Sequence, residues 1–278
     1  MKLLTLNTHS LIEQDYPRKL SEFVAAIEAE QPMMIALQEV NQTCDSTDIS
    51  GDITGYHPCC DAVLRSDNHV YNAARLLRER GVEYFWTWLP IKKGYGRYDE
   101  GVALMSRSPI LETEIVTVST TDNYDDWRTR KLLGVRTEAL PDEWFFSVHF
   151  GRWDDKDEPF REQWIRTAVH MTKHDHFWLM GDFNSPAGIP SEGYDIMKRS
   201  CCYDSYDLAY VRDVGTTVAS SIDGWRDRGD LSEGMRIDQI WCSKKVVITS
   251  SEVIFNGIRY PVISDHFGVM VNYERSIV

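Results

Sequence analysis

The segment WLMGDFN at 178–184 runs three bulky apolar residues into Gly181. It then sets a carboxylate and an amide two residues apart, at Asp182 and Asn184. Strand side chains alternate faces, so Asp182 and Asn184 can share one face while Phe183 turns back into a core. A carboxylate placed this way can orient or deprotonate a water, and an amide beside it can hold an oxyanion. A polar loop after a buried strand is the plainer reading of the same letters. The pattern recurs, however. Asn7 ends TLN, Glu39 lies in ALQEV, His149 in SVHF, Asp238 in RIDQIW, and Asp265 and His266 in ISDHF. Each alone is an ordinary turn or core residue. Together they place polar side chains at the ends of many apolar segments, as a catalytic rim on a rigid scaffold requires.

The elements that must carry these residues are legible in the apolar pattern. KLLTLN (2–7) and MMIALQEV (33–40) read as buried strands flanking a helix at 17–30, where Leu20, Phe23, Val24 and Ile27 recur at helical spacing after Pro17. Residues 41–68 read as a long polar surface loop. A helix at 69–80 closes on Gly81, and a second long helix is expected at 158–173, with a short one at 189–200. Strands are expected at 83–89, 101–106, 110–119, 131–139, 143–150, 177–183, 236–243, 246–255 and 266–274. Several strands follow one another without a helix between them. That argues against a simple doubly wound sheet and for two packed sheets flanked by helices. No internal repeat or linker divides the chain, so residues 1–278 read as one domain.

Composition narrows the function. The net charge is −13 and the isoelectric point about 5.1, which disfavours a long nucleic-acid footprint and suits a hard cation held by carboxylates. No apolar run reaches the roughly 18 residues of a membrane span. The N-terminal MKLLTLNTHS reads as a first strand, not a signal peptide. The six cysteines include two adjacent pairs and no CxxC, a poor disulfide or zinc framework, so they read as reduced thiols of a cytoplasmic protein.

The blocks LTLNTHS, ALQEVN, EGVALMSRSPI, SVHF, LMGDFNSPAG, RIDQIWCS and SDHFGVMV resemble, in order and over almost the whole chain, the endonuclease/exonuclease/phosphatase superfamily. That group includes deoxyribonuclease I, exonuclease III, neutral sphingomyelinases and inositol polyphosphate 5-phosphatases. The resemblance implies an α/β fold, a four-layer α/β/β/α sandwich of the deoxyribonuclease I type, and metal-assisted hydrolysis of a phosphoester. It implies Mg²⁺, with Mn²⁺ as a substitute, held by Glu39 with Asn7 and Asp265 as neighbours. It makes Asp182 the residue that handles the attacking water and Asn184 the amide on the phosphate. His266 becomes the histidine on the scissile phosphate, and Asp238 the carboxylate that fixes it. His149 becomes a proton donor to the leaving group, with Glu100 as its expected partner. Many nucleases of the superfamily carry Asp two residues after the position of Asn7, where this chain has His9.

The substrate is read from aromatics and arginines outside the strands. Tyr95, Tyr98, Tyr124, Trp127, Trp153 and Trp225 lie close in sequence to Arg97, Arg128, Arg130, Arg152 and Arg226. Aromatic faces stack on sugars or bases, and a guanidinium can grip one phosphate. Arg128, Arg130, Arg152, Trp153, Trp225 and Arg226 are the expected substrate contacts. The blocks YNAARLLRERGVEYFWTW, DEGVALMSRSPI, HFGRWDD and DGWRDR also resemble a bacterial subgroup associated with maltose 6′-phosphate phosphatase activity. The expectation is a Mg²⁺-dependent phosphatase of a small sugar phosphate. The competing readings are a nuclease, a sphingomyelinase-like phosphodiesterase, and a non-catalytic binding protein on the same fold.

Overall fold

The computed structural model describes residues 1–275, apart from 201, 220–221, 223–224 and 226–233. One sheet runs, in spatial order, β10 (Val211–Arg212), β12 (Val247–Ile254), β13 (Gly268–Glu274), β1 (Lys2–Asn7), β2 (Met34–Thr43), β4 (Tyr98–Ser106) and β3 (Phe85–Gly94). The other runs β5 (Ile110–Thr117), β6 (Lys131–Thr137), β7 (Leu140–His149), β8 (Phe177–Asp182), β11 (Asp238–Cys242) and β9 (Tyr203–Asp204). The pairs β1/β2, β10/β12 and β7/β8 are parallel and the others antiparallel, so both sheets are mixed. Helices α1 (Tyr16–Glu30), α2 (His69–Glu79), α3 (Phe160–Met171), α4 (Gly193–Lys198) and α5 (Ser205–Leu208), with a 3₁₀ turn at Ser10–Ile12, complete the described elements.

Strand alternation produces the layers. In β1 and β2, Leu4, Leu6, Ile35 and Leu37 pack against Leu20, Phe23, Val24 and Ile27 of α1, while Leu3, Met34 and Ala36 face the other sheet. In β7 and β8, Phe145, Trp178 and Met180 face between the sheets, while Phe146, Val148 and Leu179 meet Phe160 and Trp164 of α3. Three apolar layers therefore separate helix, sheet, sheet and helix, the expected α/β/β/α sandwich. No helix among the described residues is long and apolar enough to cross a membrane.

The differences from the expected elements have local causes. The strand expected to stop at 89 continues through Pro90 to Gly94, because β3 is an edge strand and Pro costs no ladder bond on an open edge. Its hairpin partner β4 starts three residues early, at Tyr98. Strand β2 runs past Val40 to Thr43 through an irregularity between Leu37 and Val40. The 41–68 segment is less loose than its polarity suggests, since Leu64 is buried and Ile49, Ile53 and Tyr56 pack against the α1 layer.

One ionic cluster ties the chain's beginning to a late loop. Glu30 at the end of α1 accepts from Lys2 Nζ at 2.7 Å, Arg259 Nη2 at 2.7 Å and Tyr260 Oη at 2.8 Å. Burial opposes ionisation of Glu30, but these three donors outweigh it and pull the carboxyl down from 4.5 to about 2. A depressed carboxylate stabilises the fold fully above its unfolded value and loses that contribution as pH falls towards its folded value. Wild type should therefore exceed Glu30→Gln in urea stability by a constant margin at pH 6–8, and the margin should shrink between about pH 4.5 and pH 2. A margin independent of pH would show that the cluster contributes only packing.

Candidate active site

The second sheet brings three predicted residues side by side. His149 ends β7, Asp182 ends the adjacent β8, and Asp238 opens the adjacent β11. In register, both His149 and Asp238 lie opposite Asp182. All three continue the face that looks into the space between the sheets. From the first sheet, Asn7 ends β1 on its inward face. Glu39 follows inward-facing Gln38 and would point the wrong way in a regular strand. It adopts a left-handed φ of 50° at the β2 irregularity and joins the cavity lining instead. The LNTHS segment holds that kink. Thr8 Oγ1 donates to Gln38 O at 2.9 Å, Ser10 Oγ donates to Glu39 O at 2.8 Å, and Asn41 N donates to Ser10 Oγ at 3.1 Å.

Below this rim lies a buried polar layer linking the sheets. Gln38 Nε2 donates to Ser147 Oγ at 3.0 Å, and Ser147 Oγ donates to Leu37 O at 3.0 Å. Gly181 permits the close strand contact beneath Asp182, since a Cβ there would lie 1.9 Å from Val148 O. The DFN turn differs from the expected alternation. Strand β8 stops at Asp182, and Asn184 reaches the same side through a left-handed φ of 46°, a conformation Asn tolerates. Asn184 N donates to Asp182 Oδ1 at 2.8 Å, and Asn184 Nδ2 donates to Phe150 O at 3.0 Å. Phe183 is buried against the helical layer, as expected.

Asp182 is the centre of the arrangement. Its Oδ2 lies 3.2 Å from Asn7 Nδ2, 3.4 Å from Asn184 Nδ2, 3.6 Å from His149 Nε2 and 3.9 Å from His266 Nε2. Burial raises this carboxyl to about 7, with His266 opposing and Asp238 adding to the shift. His266 Nδ1 bonds Asp238 Oδ2 at 2.9 Å. Burial disfavours the imidazolium, but the charge and bond of Asp238 outweigh it and push His266 up to about 10. His149 goes the other way. Burial, then the charges of Arg130, Lys92 and His266, hold it well below its usual value. The two histidines therefore differ in charge, His266 a cation and His149 neutral.

Glu39 accepts from Asn7 Nδ2 at 2.9 Å, and its carboxyl is raised by burial, then by Glu100. Asp265 and His9 complete this flank. His9 Nδ1 bonds Glu13 at 2.7 Å and lies 3.8 Å from Asp265. Glu39, Asp265, Asp182 and the Asn7 amide offer the oxygen-rich, negatively biased surroundings that a hard divalent cation prefers. The donor chemistry thus fits such an ion. Asp182, Asp238 and His266 also lie close enough together to form a ligand cluster.

Of these residues His9, Glu39, His149, Asp182, Asn184, Asp265 and His266 line a cavity of about 590 Å³, with Lys92, Lys93, Gly94, Tyr95, Glu100, Trp127, Arg130, Arg152 and Ile222; Asn7 and Asp238 lie behind its wall. No described residue of the 41–68 segment lines it. Of the expected substrate contacts, Arg130 and Arg152 line the cavity. Arg128 does not: it pairs with Asp157 at 3.0 Å and approaches Asp126 at 3.8 Å. Trp153 packs on the helical layer instead. Trp225 is buried behind the site, where its Nε1 donates to Asn184 Oδ1 at 3.1 Å, so it positions the amide. Arg226 lies outside the described residues. The expected Glu100–His149 pair is not formed. Glu100 pairs with Lys92 Nζ at 3.0 Å, and Gly94 leaves room for it, since a Cβ there would lie 2.4 Å from Glu100 Oε2. Lys92 was hidden in the sequence because strand β3 was expected to end at 89. The signal available was Ile91–Lys92–Lys93–Gly94 continuing the strand beyond Pro90.

The sequence model of the Endonuclease/Exonuclease/phosphatase family matches residues 4–266. The chain belongs to the endonuclease/exonuclease/phosphatase family. Members of this family are phosphoester hydrolases and generally depend on a divalent metal. A solved family protein from Leptotrichia buccalis C-1013-b is 28% identical, with a TM-score of 0.86 over 99% of this chain and 100% of that one. A mannosyl-6-phosphatase from Bacteroides thetaiotaomicron VPI-5482 shares the fold at 16% identity and a TM-score of 0.65, over 99% of this chain and 100% of that one. A 3′ phosphatase from Neisseria, solved with a product DNA hairpin, does so at 18% identity and 0.64, over 99% and 100%. No curated protein sequence matches the chain.

The Lys92–Glu100 pair is buried, so removing one partner strands a charge at a cost of about 3 kcal/mol or more. In urea unfolding, Lys92→Met and Glu100→Gln should each destabilise strongly, and the double variant should recover much of the loss. Additive losses would mean that Glu100 and Lys92 do not depend on each other.

Proposed function

We propose that this single-domain enzyme is a Mg²⁺-dependent phosphomonoester hydrolase acting on a small phosphorylated sugar, with maltose 6′-phosphate the first candidate. The observation that carries the reading is the character of the cavity. Arg130 is buried, its Nε has no hydrogen-bond partner, and it faces the same space as Lys92. An unpartnered buried donor beside a phosphoester site suits a compact anion that enters fully. Tyr95 and Trp127, about half exposed at 57% and 51%, border the same space and offer flat faces to a sugar ring. A net charge of −13 gives little support to a long polyanion lying across the surface.

In this reading Glu39, Asn7 and Asp265 hold Mg²⁺, with Mn²⁺ an acceptable substitute. The ion would supply charge neutralisation at the phosphoryl oxygens. Asp182, poised near neutrality, orients and deprotonates the attacking water. Asn184, fixed by Phe150 O and Trp225, presents its amide to the phosphate. His266, kept cationic by Asp238, faces the charge that builds on the phosphoryl group. His149 is neutral in the free site. A phosphate dianion brings the charge that would let it hold and pass a proton to the leaving oxygen. Arg130 and Arg152 bind the anion. A cytoplasmic location accords with the thiols among the described residues: Cys44, Cys59, Cys60 and Cys242 form no disulfide.

A diesterase or nuclease is the second reading. Its support is that the family includes nucleases, and that the fold likeness to the DNA-bound Neisseria 3′ phosphatase, itself a monoesterase, is as strong as that to the mannosyl-6-phosphatase. The test is phosphate release from maltose 6′-phosphate, glucose 6-phosphate and sugar-free phosphoesters, beside nicking of supercoiled DNA. The expected result is Mg²⁺-dependent release from one sugar phosphate with DNA intact. EDTA should abolish the activity and Mg²⁺ restore it. Nicked DNA without phosphate release would overturn the phosphatase reading. Asp182→Ala should lower turnover by about 10²–10⁴-fold with a near-normal Tm. Near-normal turnover in that variant would remove Asp182 from its proposed role.

A further inference from the structure

Outside the cavity, one cluster of ligating side chains stands apart from the hydrolase chemistry. His170 lies in the last turn of α3, and His174 in the turn that follows, where His174 N donates to Met171 O at 3.0 Å. A spacing of four on a helical path sends both imidazoles to one side. They converge on Glu114 of the edge strand β5. His170 Nε2 bonds Glu114 Oε1 at 2.8 Å, and His174 Nε2 lies 2.8 Å from Glu114 Oε2. All three ligating atoms fall within 4.8 Å of one another.

The second contact is close but not aligned as a hydrogen bond. His174 Nε2 and Glu114 Oε2 are both buried polar atoms without a hydrogen-bond partner, and the His174 side chain is only 10% exposed. Buried polar atoms in folded proteins rarely stay unsatisfied. Direct hydrogen bonding to Glu114 leaves one of the two contacts misdirected. A single cation between the three groups satisfies all of them while both histidines stay neutral. The ring of His174 is also held in place. It lies against Trp144, with ring centres 5.0 Å apart, and Phe146, at 5.6 Å. Phe146 crosses β6 at Gly134, the residue that pairs with Glu114.

We propose that Glu114, His170 and His174 form a second metal site, for Zn²⁺ or a similar late first-row divalent cation, distinct from the oxygen-rich site of the cavity. Two imidazoles and one carboxylate are a zinc-type donor set with a fourth position left for water. Metal bonds of about 2.0–2.2 Å at tetrahedral angles place ligand atoms roughly 3.3 Å apart. The two 2.8 Å histidine–carboxylate contacts, one to each Glu114 oxygen, would open by about half an ångström, and the two imidazole nitrogens already lie within 4.8 Å. The site clamps the free edge of the second sheet to the C-terminal end of α3, so its role is structural.

The test uses the full chain with Mg²⁺ in large excess, so that the hard-oxygen site is filled. Zn²⁺ is titrated by calorimetry and thermal melting, and Co²⁺ by its visible absorption. Wild type should take up one Zn²⁺ that Glu114→Gln and His170→Ala do not. Zn²⁺ at about 100 times its dissociation constant should raise wild-type Tm by about 5 °C, and that rise should vanish in both variants. Co²⁺ should give the intense bands of four-coordination in wild type only. Both variants should retain metal-free Tm within a few degrees and unchanged hydrolase turnover in Mg²⁺. Equal Zn²⁺ stoichiometry and equal Co²⁺ spectra in wild type and variants would overturn the proposal, as would absence of Zn²⁺ uptake by wild type under excess Mg²⁺.

Discussion

Carboxylates buried together at one end of the gap between two sheets are the constraint on which this structure turns. Glu39, Glu100, Asp182 and Asp265 line the cavity, and Asp238 is buried beside Asp182. Burial alone disfavours every one of those charges. Each is compensated differently. Asp238 is matched by an imidazolium, Glu100 by Lys92, and Asp182 by amides and the charge of His266. Among the described residues Glu39 has one amide donor within bonding distance, and the like charges of Glu100 and Asp265 oppose its ionisation while His9 favours it. The arrangement leaves Glu39 less well compensated than its neighbours, beside the Lys92 and Arg130 donors that line the same cavity. That combination is what phosphoester hydrolysis needs, since the reaction must bring a negatively charged group beside a carboxylate that handles water.

The fold meets this constraint by simple means. Strand parity sends Asn7, His149, Asp182 and Asp238 inward without any special backbone. Glu39 and Asn184 are out of phase, and both are brought in by left-handed residues that their neighbours hold in place. The polar bridge from Gln38 through Ser147 to Leu37 O locks the distance between the sheets just below the rim. Small errors in that distance would separate the Asn7–Glu39 side from the Asp182 side. The strain is thus localised at residues that work, and the layers beneath are ordinary apolar packing.

Much of this was readable from the letters, for definable reasons. Buried strands with apolar runs, and helices with a clear 3.6 period, stand out because one physical rule governs them. Polar residues recurring at the ends of many apolar runs marked the rim: one carboxylate after a strand is an ordinary turn residue, and only the repetition points to a site. Pairings across the gap were not readable. Glu100 was expected beside His149, yet Lys92 claims it, because the extension of β3 past Pro90 depends on its being an edge strand. Arg128 and Trp153 sit in segments that read like Arg130 and Arg152, and only tertiary placement separates surface ion pair and packing from cavity wall. Trp225 was read as a substrate contact and lies one layer back, holding Asn184. Sequence proximity reported which segments gather at the site but not which side chain faces it.

The measurement that tests the central claim most directly is the stability of Glu39→Gln with and without Mg²⁺. Burial and the charge of Glu100 disfavour the ionised form of Glu39 in the metal-free protein, and we propose that the cation offsets that cost. The substitution keeps an oxygen for the Asn7 bond and removes the charge. The account predicts a metal-free Tm above that of wild type, and loss of the rise in Tm that Mg²⁺ gives wild type. A variant less stable than wild type without metal, and stabilised by Mg²⁺ as much as wild type, would contradict the account.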